Sequence, residues 1–284
     1  MVYAPLSSRH NKALLNVVYS PFSMATALVT GASSGIGLEL AEVLARTQHD
    51  VVLVARSEDK LKSLADRLSS TYGVQATVFS HDLTDRSAPQ RLFDQIQQSN
   101  LTVDVLVNNA GYGDYGEFAQ SDWSKIEGMI LLNVLALTHL TRLFLPAMIQ
   151  RQSGQILNVA STAAFQPGPM MAVYFASKAY VLSFSEAIAA ETEDKGINVT
   201  VLCPGPTQSD FIDRANMDRM ALASKDSKDK LPTAAEVAQF GYDALQKGQV
   251  VAVHGIANKL MTFSTRLAPR SVIRKGVKQF MASA

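Results

Sequence analysis

The chain has 284 residues, 47% hydrophobic and 18% charged, with a formal net charge of +1. These values describe a chain able to bury a sizeable core, and they argue against disorder and against a nucleic-acid binder with its basic excess. A single cysteine, Cys203, excludes an intrachain disulfide framework and suits a reducing, cytoplasmic setting.

Residues 1–23 carry Arg9, His10 and Lys12, no acid, and a short apolar patch over 13–18. A weak signal or transit peptide has this composition. The reading preferred here is a disordered extension from an upstream start, because Met24 stands immediately before the first strand pattern. Beyond it, β-branched runs alternate with helical patterns. Strands are predicted over 26–30, 51–55, 76–80, 103–107, 155–159, 198–202 and 249–253. Helices are predicted over 38–46, 58–70, 87–98, 121–149, 172–194 and 234–247. The strand runs are near-continuously apolar, as in parallel strands covered on both faces. The expected fold is therefore α/β, a Rossmann-type doubly wound parallel sheet of about seven strands with helices on both faces. With no repeat or linker, residues 24–284 read as one domain. The apolar run 126–145 is interrupted by Asn133, His139 and Arg142, and so reads as a buried helix rather than a bilayer span.

Ligands in such sheets bind beyond the strand C-terminal ends. After the first strand comes Thr30, then Gly31, Ala32, Ser33, Ser34, Gly35, Ile36 and Gly37, opening the first helix. Small residues let the backbone approach a ligand, and the helix N-terminus offers N–H groups and a positive dipole end, which together suit a diphosphate. No lysine follows the last glycine, so a P-loop NTPase is not expected. The second strand ends in Arg56 where NAD sites place an acid, and Lys60 follows; two cations there favour the 2′-phosphate of NADP(H) over NAD(H). Farther on, Tyr174 and Lys178 stand four apart on a predicted helix and share one face. A phenol beside an ammonium is a candidate acid/base whose pKa the cation would lower.

These motifs together resemble the short-chain dehydrogenase/reductase family over roughly residues 24–254. The glycine loop matches TGxxxGxG. Asp82 and Leu83 stand where the family meets the adenine. Asn108, Asn109, Ala110 and Gly111 match its NNAG segment, and Asn133 matches its helix asparagine. Ser161 lies thirteen residues before Tyr174, and Tyr174 with Lys178 matches YxxxK. Pro204 and Gly205 match the start of the nicotinamide-side loop, followed by Thr207 and Ser209. Departures are small: Ser209 stands where threonine is frequent, and Ala160 where many members have a second serine.

The resemblance implies hydride transfer between a nicotinamide and a carbonyl or alcohol. Tyr174 would be the proton donor, Ser161 would hold the substrate oxygen, and Lys178 would lower the tyrosine pKa and bind ribose hydroxyls. Asn133 would hold a relay water. No metal ligand set is assigned. Tyr112, Tyr115, Phe165, Pro167, Met170, Met171, Phe211 and Ile212 form an expected apolar substrate wall, with 207–231 as a lid. The residues leave a fatty 3-oxoacyl thioester, a steroid-like ketone and a small aldehyde open. A homodimer or homotetramer through helices 121–149 and 172–194 is implied by the resemblance. The rival is a non-catalytic NADP(H)-binding regulator on the same fold.

No acid follows Asp243, whereas seven cations do, from Lys247 to Lys278. The basic extension over 256–284 could meet an anionic membrane surface or a phosphate-bearing substrate. A solvated helical face is the expectation, since Pro269 and Gly276 should break any long amphipathic helix.

Overall fold

A computed structural model describes residues 24–209, 211, 215 and 229–282. The extension 1–23, Ile212 and most of the expected lid lie outside these residues. The described residues form a seven-stranded sheet in the order β3-β2-β1-β4-β5-β6-β7. The strands are β1 Thr26–Thr30, β2 Asp50–Ala55, β3 Ala76–Ser80, β4 Val103–Asn108, β5 Gly154–Val159, β6 Ile197–Cys203 and β7 Val251–Val253. Every adjacent pair is parallel. The order reverses between β1 and β4, so the crevice beyond those two strands is the topological switch point.

Helices cover both faces, as the near-continuously apolar strands require. On one side lie α1 Gly35–Arg46, α2 Glu58–Tyr72 and α7 Ala234–Gln246, which bury Leu40, Leu44, Leu61, Leu68 and Val237 against the sheet. On the other lie α3 Ala88–Gln98 and α5 Leu137–Arg151, burying Leu92, Ile96, Leu140, Phe144 and Met148. Each such leucine contributes about 1.5–3 kcal/mol on leaving water. Thr233 and Glu236 close a reciprocal capping box at the start of α7.

Two departures from the sequence expectation matter for the site. The helix foreseen over 121–149 is α4 Trp123–Ile130, then a π-helical turn over Leu131–Ala136, then α5. Trp123–Arg151 is long and apolar enough to cross a bilayer by length and composition. Its α5 portion packs on the sheet instead, and Asn108 donates to Thr141 at 3.1 Å, as befits a core helix.

The second departure is the C-terminal extension. Pro269 does separate two helices, α8 Ile256–Leu267 and α9 Arg270–Ala282, but Gly276 breaks neither. It sits within α9 facing open space. Its propensity cost of about 1 kcal/mol is offset by Ile273, Val277 and Met281, which recur every fourth residue and are buried. The tail is thus folded onto the domain rather than appended to it.

Candidate active site

The glycine loop makes a sharp entry into α1. Gly31 and Gly35 hold φ of +68° and +57°, the left-handed region that side chains avoid. Gly37 serves packing: a Cβ there would come within 2.2 Å of Asn109 Nδ2 and 2.3 Å of the Gly31 carbonyl oxygen. Asn109 explains the closeness. Its Nδ2 donates to the Thr30 carbonyl at 2.9 Å, while Thr30 Oγ1 accepts from the amides of Asn109 and Ala110 at 3.0 and 3.1 Å. The loops after β1 and β4 are therefore tied together at the switch point. Ser209 reaches the same place from the loop after β6, with its Cβ 3.5 Å from the position a Gly35 Cβ would take. Thr207 donates to the Gly205 carbonyl at 3.0 Å, and the Ser161 hydroxyl faces the Pro204 carbonyl at 3.4 Å.

Arg56 leaves the end of β2 toward Asp82, with guanidinium and carboxylate 3.9 Å apart. The other carboxylate oxygen of Asp82 accepts from the amide and hydroxyl of Thr84, which fixes the turn after β3. Arg56, Asp82 and Leu83 line the cleft, as do Ser33, Ser34 and Ile36, but Lys60 does not. It lies exposed on α2, where the helix carries it away from the β2 end.

The helix α6 Ala172–Thr192 carries Tyr174 and Lys178, both buried. Ser161 follows β5 and caps a 3₁₀ turn over Thr162–Phe165, its Oγ accepting from the Ala163 amide at 3.1 Å. The Lys178 ammonium donates to the Val159 carbonyl at 2.8 Å and lies 5.8 Å from the Tyr174 ring centre. Burial pushes the Tyr174 phenol up to about 12, against the pull of a side-chain hydrogen bond with Ser161. Burial also brings Lys178 down to about 8, partly countered by Cys203. Desolvation, rather than the lysine expected to lower the tyrosine pKa, is the largest influence on the phenol. Desolvation favours the neutral form of both groups, and the lysine's hydrogen bond goes to a main-chain carbonyl instead of the phenol. A neutral phenol is nevertheless the form that can donate a proton.

Asn133 is fixed by its own neighbours. The π-helical turn aims its side chain inward, where Nδ2 donates to the Tyr112 carbonyl at 2.9 Å and to Ser177 Oγ at 3.0 Å. Its Oδ1 accepts from the Tyr112 amide at 3.1 Å. Both amide hydrogens are committed, which leaves the remaining capacity of Oδ1 and the main-chain carbonyl as acceptors for the expected relay water. The side chain clamps Tyr112 beside Gly111, where a Cβ would meet Asn133 Oδ1 at 3.0 Å and Lys178 Nζ at 3.4 Å.

These groups share one cleft of about 890 Å³ running from Arg56 past the glycine loop to Ser161 and Tyr174. Among the expected wall residues, Tyr112, Met171 and Phe211 line it. Tyr115, Phe165, Pro167 and Met170 do not. Phe165 is instead part of the packing around Leu137, Ala160 and Val181. Tyr115 donates to the Met281 carbonyl at 2.8 Å and so anchors α9. The substrate end is completed by Asn258, Met261, Phe280 and Met281 from α8 and α9. The sequence reading missed these four; the four-residue recurrence of Ile273, Val277 and Met281 was the available signal. Among the described residues, no group of three or more His, Cys, Asp or Glu side chains could hold a metal ion.

The sequence matches the family described as short chain dehydrogenase over residues 25–219. The ketoacyl reductase HetN of Nostoc sp. is 38% identical over 180 residues, covering 63% of this chain and 62% of the relative. A very-long-chain 3-oxoacyl-CoA reductase of Anas platyrhynchos is 38% identical over 186 residues, covering 63% and 59%. The matched part thus spans less than two thirds of the length of these relatives. The fold is similar to a short-chain dehydrogenase from Sphingobium yanoikuyae in complex with NADPH, at 31% identity and a TM-score of 0.76. That likeness covers 86% of this chain and 94% of the other.

Proposed function

This chain belongs to the short-chain dehydrogenase family, and from that premise we propose that it is an NADPH-dependent reductase of a hydrophobic ketone or aldehyde with Tyr174 as proton donor. The observation that carries the reading is the continuity of the cleft. It joins Arg56 at one end to Ser161, Tyr174 and the apolar Met171, Phe211 and Met281 at the other. The residues fit a dinucleotide phosphate. The loop bends at Gly31 and Gly35, the first turn of α1 carries no acid to repel a diphosphate, and Arg56 is an exposed cation beyond β2. The NADPH complex of the Sphingobium relative supports the same choice.

When bound, the nicotinamide supplies a hydride for the carbonyl carbon. The chain supplies the rest. As negative charge grows on the substrate oxygen, the Ser161 hydroxyl donates a hydrogen bond to it and the Tyr174 phenol transfers its proton. In this reading Lys178, held by Val159, binds ribose hydroxyls and keeps positive charge near the phenol. Burial of Tyr174 and Lys178 excludes competing water.

The 3-oxoacyl relatives and the apolar substrate end favour an acyl or similarly lipophilic carbonyl. NADPH oxidation across a panel of 3-oxoacyl thioesters, steroid ketones and small aldehydes, paired with cofactor titration, tests this. Turnover with the longer acyl or steroid ketones supports it. Tight NADPH binding without turnover on any member would favour the non-catalytic regulator. Exposed Trp123, Ile130, Leu135 and Tyr180 on α4, the π turn and α6 support a homodimer or homotetramer formed through these helices.

A further inference from the structure

The outward face of α8 has a pattern that the reductase reading does not use. Ile256, Leu260, Phe263 and Leu267 are 78%, 66%, 57% and 74% exposed. At about 100° per residue they fall within about 60° of arc, a single stripe along the helix. Thr262, Met261 and Asn258, which face the protein, lie on the opposite side. An ordinary surface helix turns its apolar stripe inward; α8 turns one outward. The stripe is accompanied by cations. Lys259 and Arg266 border one edge of it on α8, and Arg270, Arg274, Lys275 and Lys278 are exposed on α9. Not one acidic residue follows Asp243 to offset them.

We propose that α8 and α9 form a docking surface for an anionic lipid bilayer, with the α8 stripe seated among the lipid chains and the surrounding cations on the headgroups. An apolar stripe edged by lysine and arginine is the composition of interfacial helices. Charge selects this occupant over a second copy of the chain, because a two-fold contact would press one basic face against another. The cleft adds a functional reason. Its substrate end is walled by Asn258 and Met261 from the inner side of α8 and by Phe280 and Met281 from α9. A docked molecule would therefore present that end close to the bilayer, where a lipophilic carbonyl compound is concentrated. Docking itself does not depend on the reductase reading, since it is measured without turnover.

The test is co-sedimentation of the full chain with phosphatidylcholine vesicles, with and without roughly one-third phosphatidylglycerol, at about 0.1 M salt. The expected partition onto anionic vesicles exceeds that onto neutral ones by about tenfold or more. Replacing Arg266→Gln together with Arg274→Gln should weaken anionic binding about 25-fold, at about fivefold per cation. Phe263→Ser with Leu267→Ser should weaken it about tenfold or more while leaving the thermal midpoint and turnover of a water-soluble carbonyl unchanged. Three results would overturn the proposal: no sedimentation with either vesicle, equal binding to both, or a smaller oligomer for the serine variant without vesicles. The last would mean that a second copy covers the stripe.

Discussion

Arg56→Ala is the perturbation that separates cofactor recognition from everything else in the site. The guanidinium stands exposed at the end of β2, 3.9 Å from the Asp82 carboxylate. Its removal should therefore leave the fold intact. A hydrogen bond to a charged group contributes about 1.5–3 kcal/mol, so one lost contact with a 2′-phosphate raises the Kd for NADPH about 10- to 150-fold. NADH lacks that phosphate, and its Kd should stay within about threefold, because Asp82 remains engaged by Thr84. Raising the salt concentration should shrink the wild-type preference, since the contact is exposed. Fluorescence titration of both cofactors on both proteins measures the ratio directly. Equal weakening for NADPH and NADH, or no change in either, would refute the assignment of Arg56 to the 2′-phosphate.

Gly37→Ala should destabilise the protein by about 1–3 kcal/mol, read as a lower urea midpoint, because its Cβ meets the Gly31 backbone and Asn109. Tyr115→Phe removes the donor to the Met281 carbonyl, and should cost about 0.5–1.5 kcal/mol. It should raise KM for the carbonyl substrate while leaving the Kd of NADPH unchanged. The depressed Lys178 pKa sets a pH dependence of stability. Between about 8, its folded value, and the ordinary 10.5, the unfolded chain binds the proton more readily, so stability rises with pH across that window. Tyr174, raised from 10.0 to about 12, opposes this above pH 10, where the folded state holds its proton longer. Urea midpoints from pH 7.5 to 9.5 should accordingly show the wild type gaining on Lys178→Met; a constant difference would contradict the burial argument.

The sheet was legible because parallel strands covered on both faces need near-continuous apolar runs, and stretches such as 51–55 in β2 and 105–107 in β4 supply them. The cofactor end was legible for a related reason: Gly31, Gly35 and Gly37 meet backbone demands that other residues cannot. What escaped the sequence was settled by packing. The π turn at Leu131–Ala136 shifts the main-chain ladder without altering composition, so nothing announced that Asn133 would clamp Tyr112. Spacing placed Lys178 beside Tyr174, but the Val159 carbonyl and the dry surroundings decide how each titrates. Pro269 was visible as a stop, yet the tail's role in walling the cleft depended on Met281 meeting Tyr115, residues 166 apart in the chain.

The central claim is that Tyr174 delivers the proton that completes carbonyl reduction. Tyr174→Phe keeps the ring against Phe175 and Phe211 and removes only the hydroxyl. Single-turnover NADPH oxidation with the preferred carbonyl from the panel should then slow by about 10²- to 10⁴-fold with the Kd of NADPH unchanged. Turnover near the wild-type rate would show that the proton comes from elsewhere.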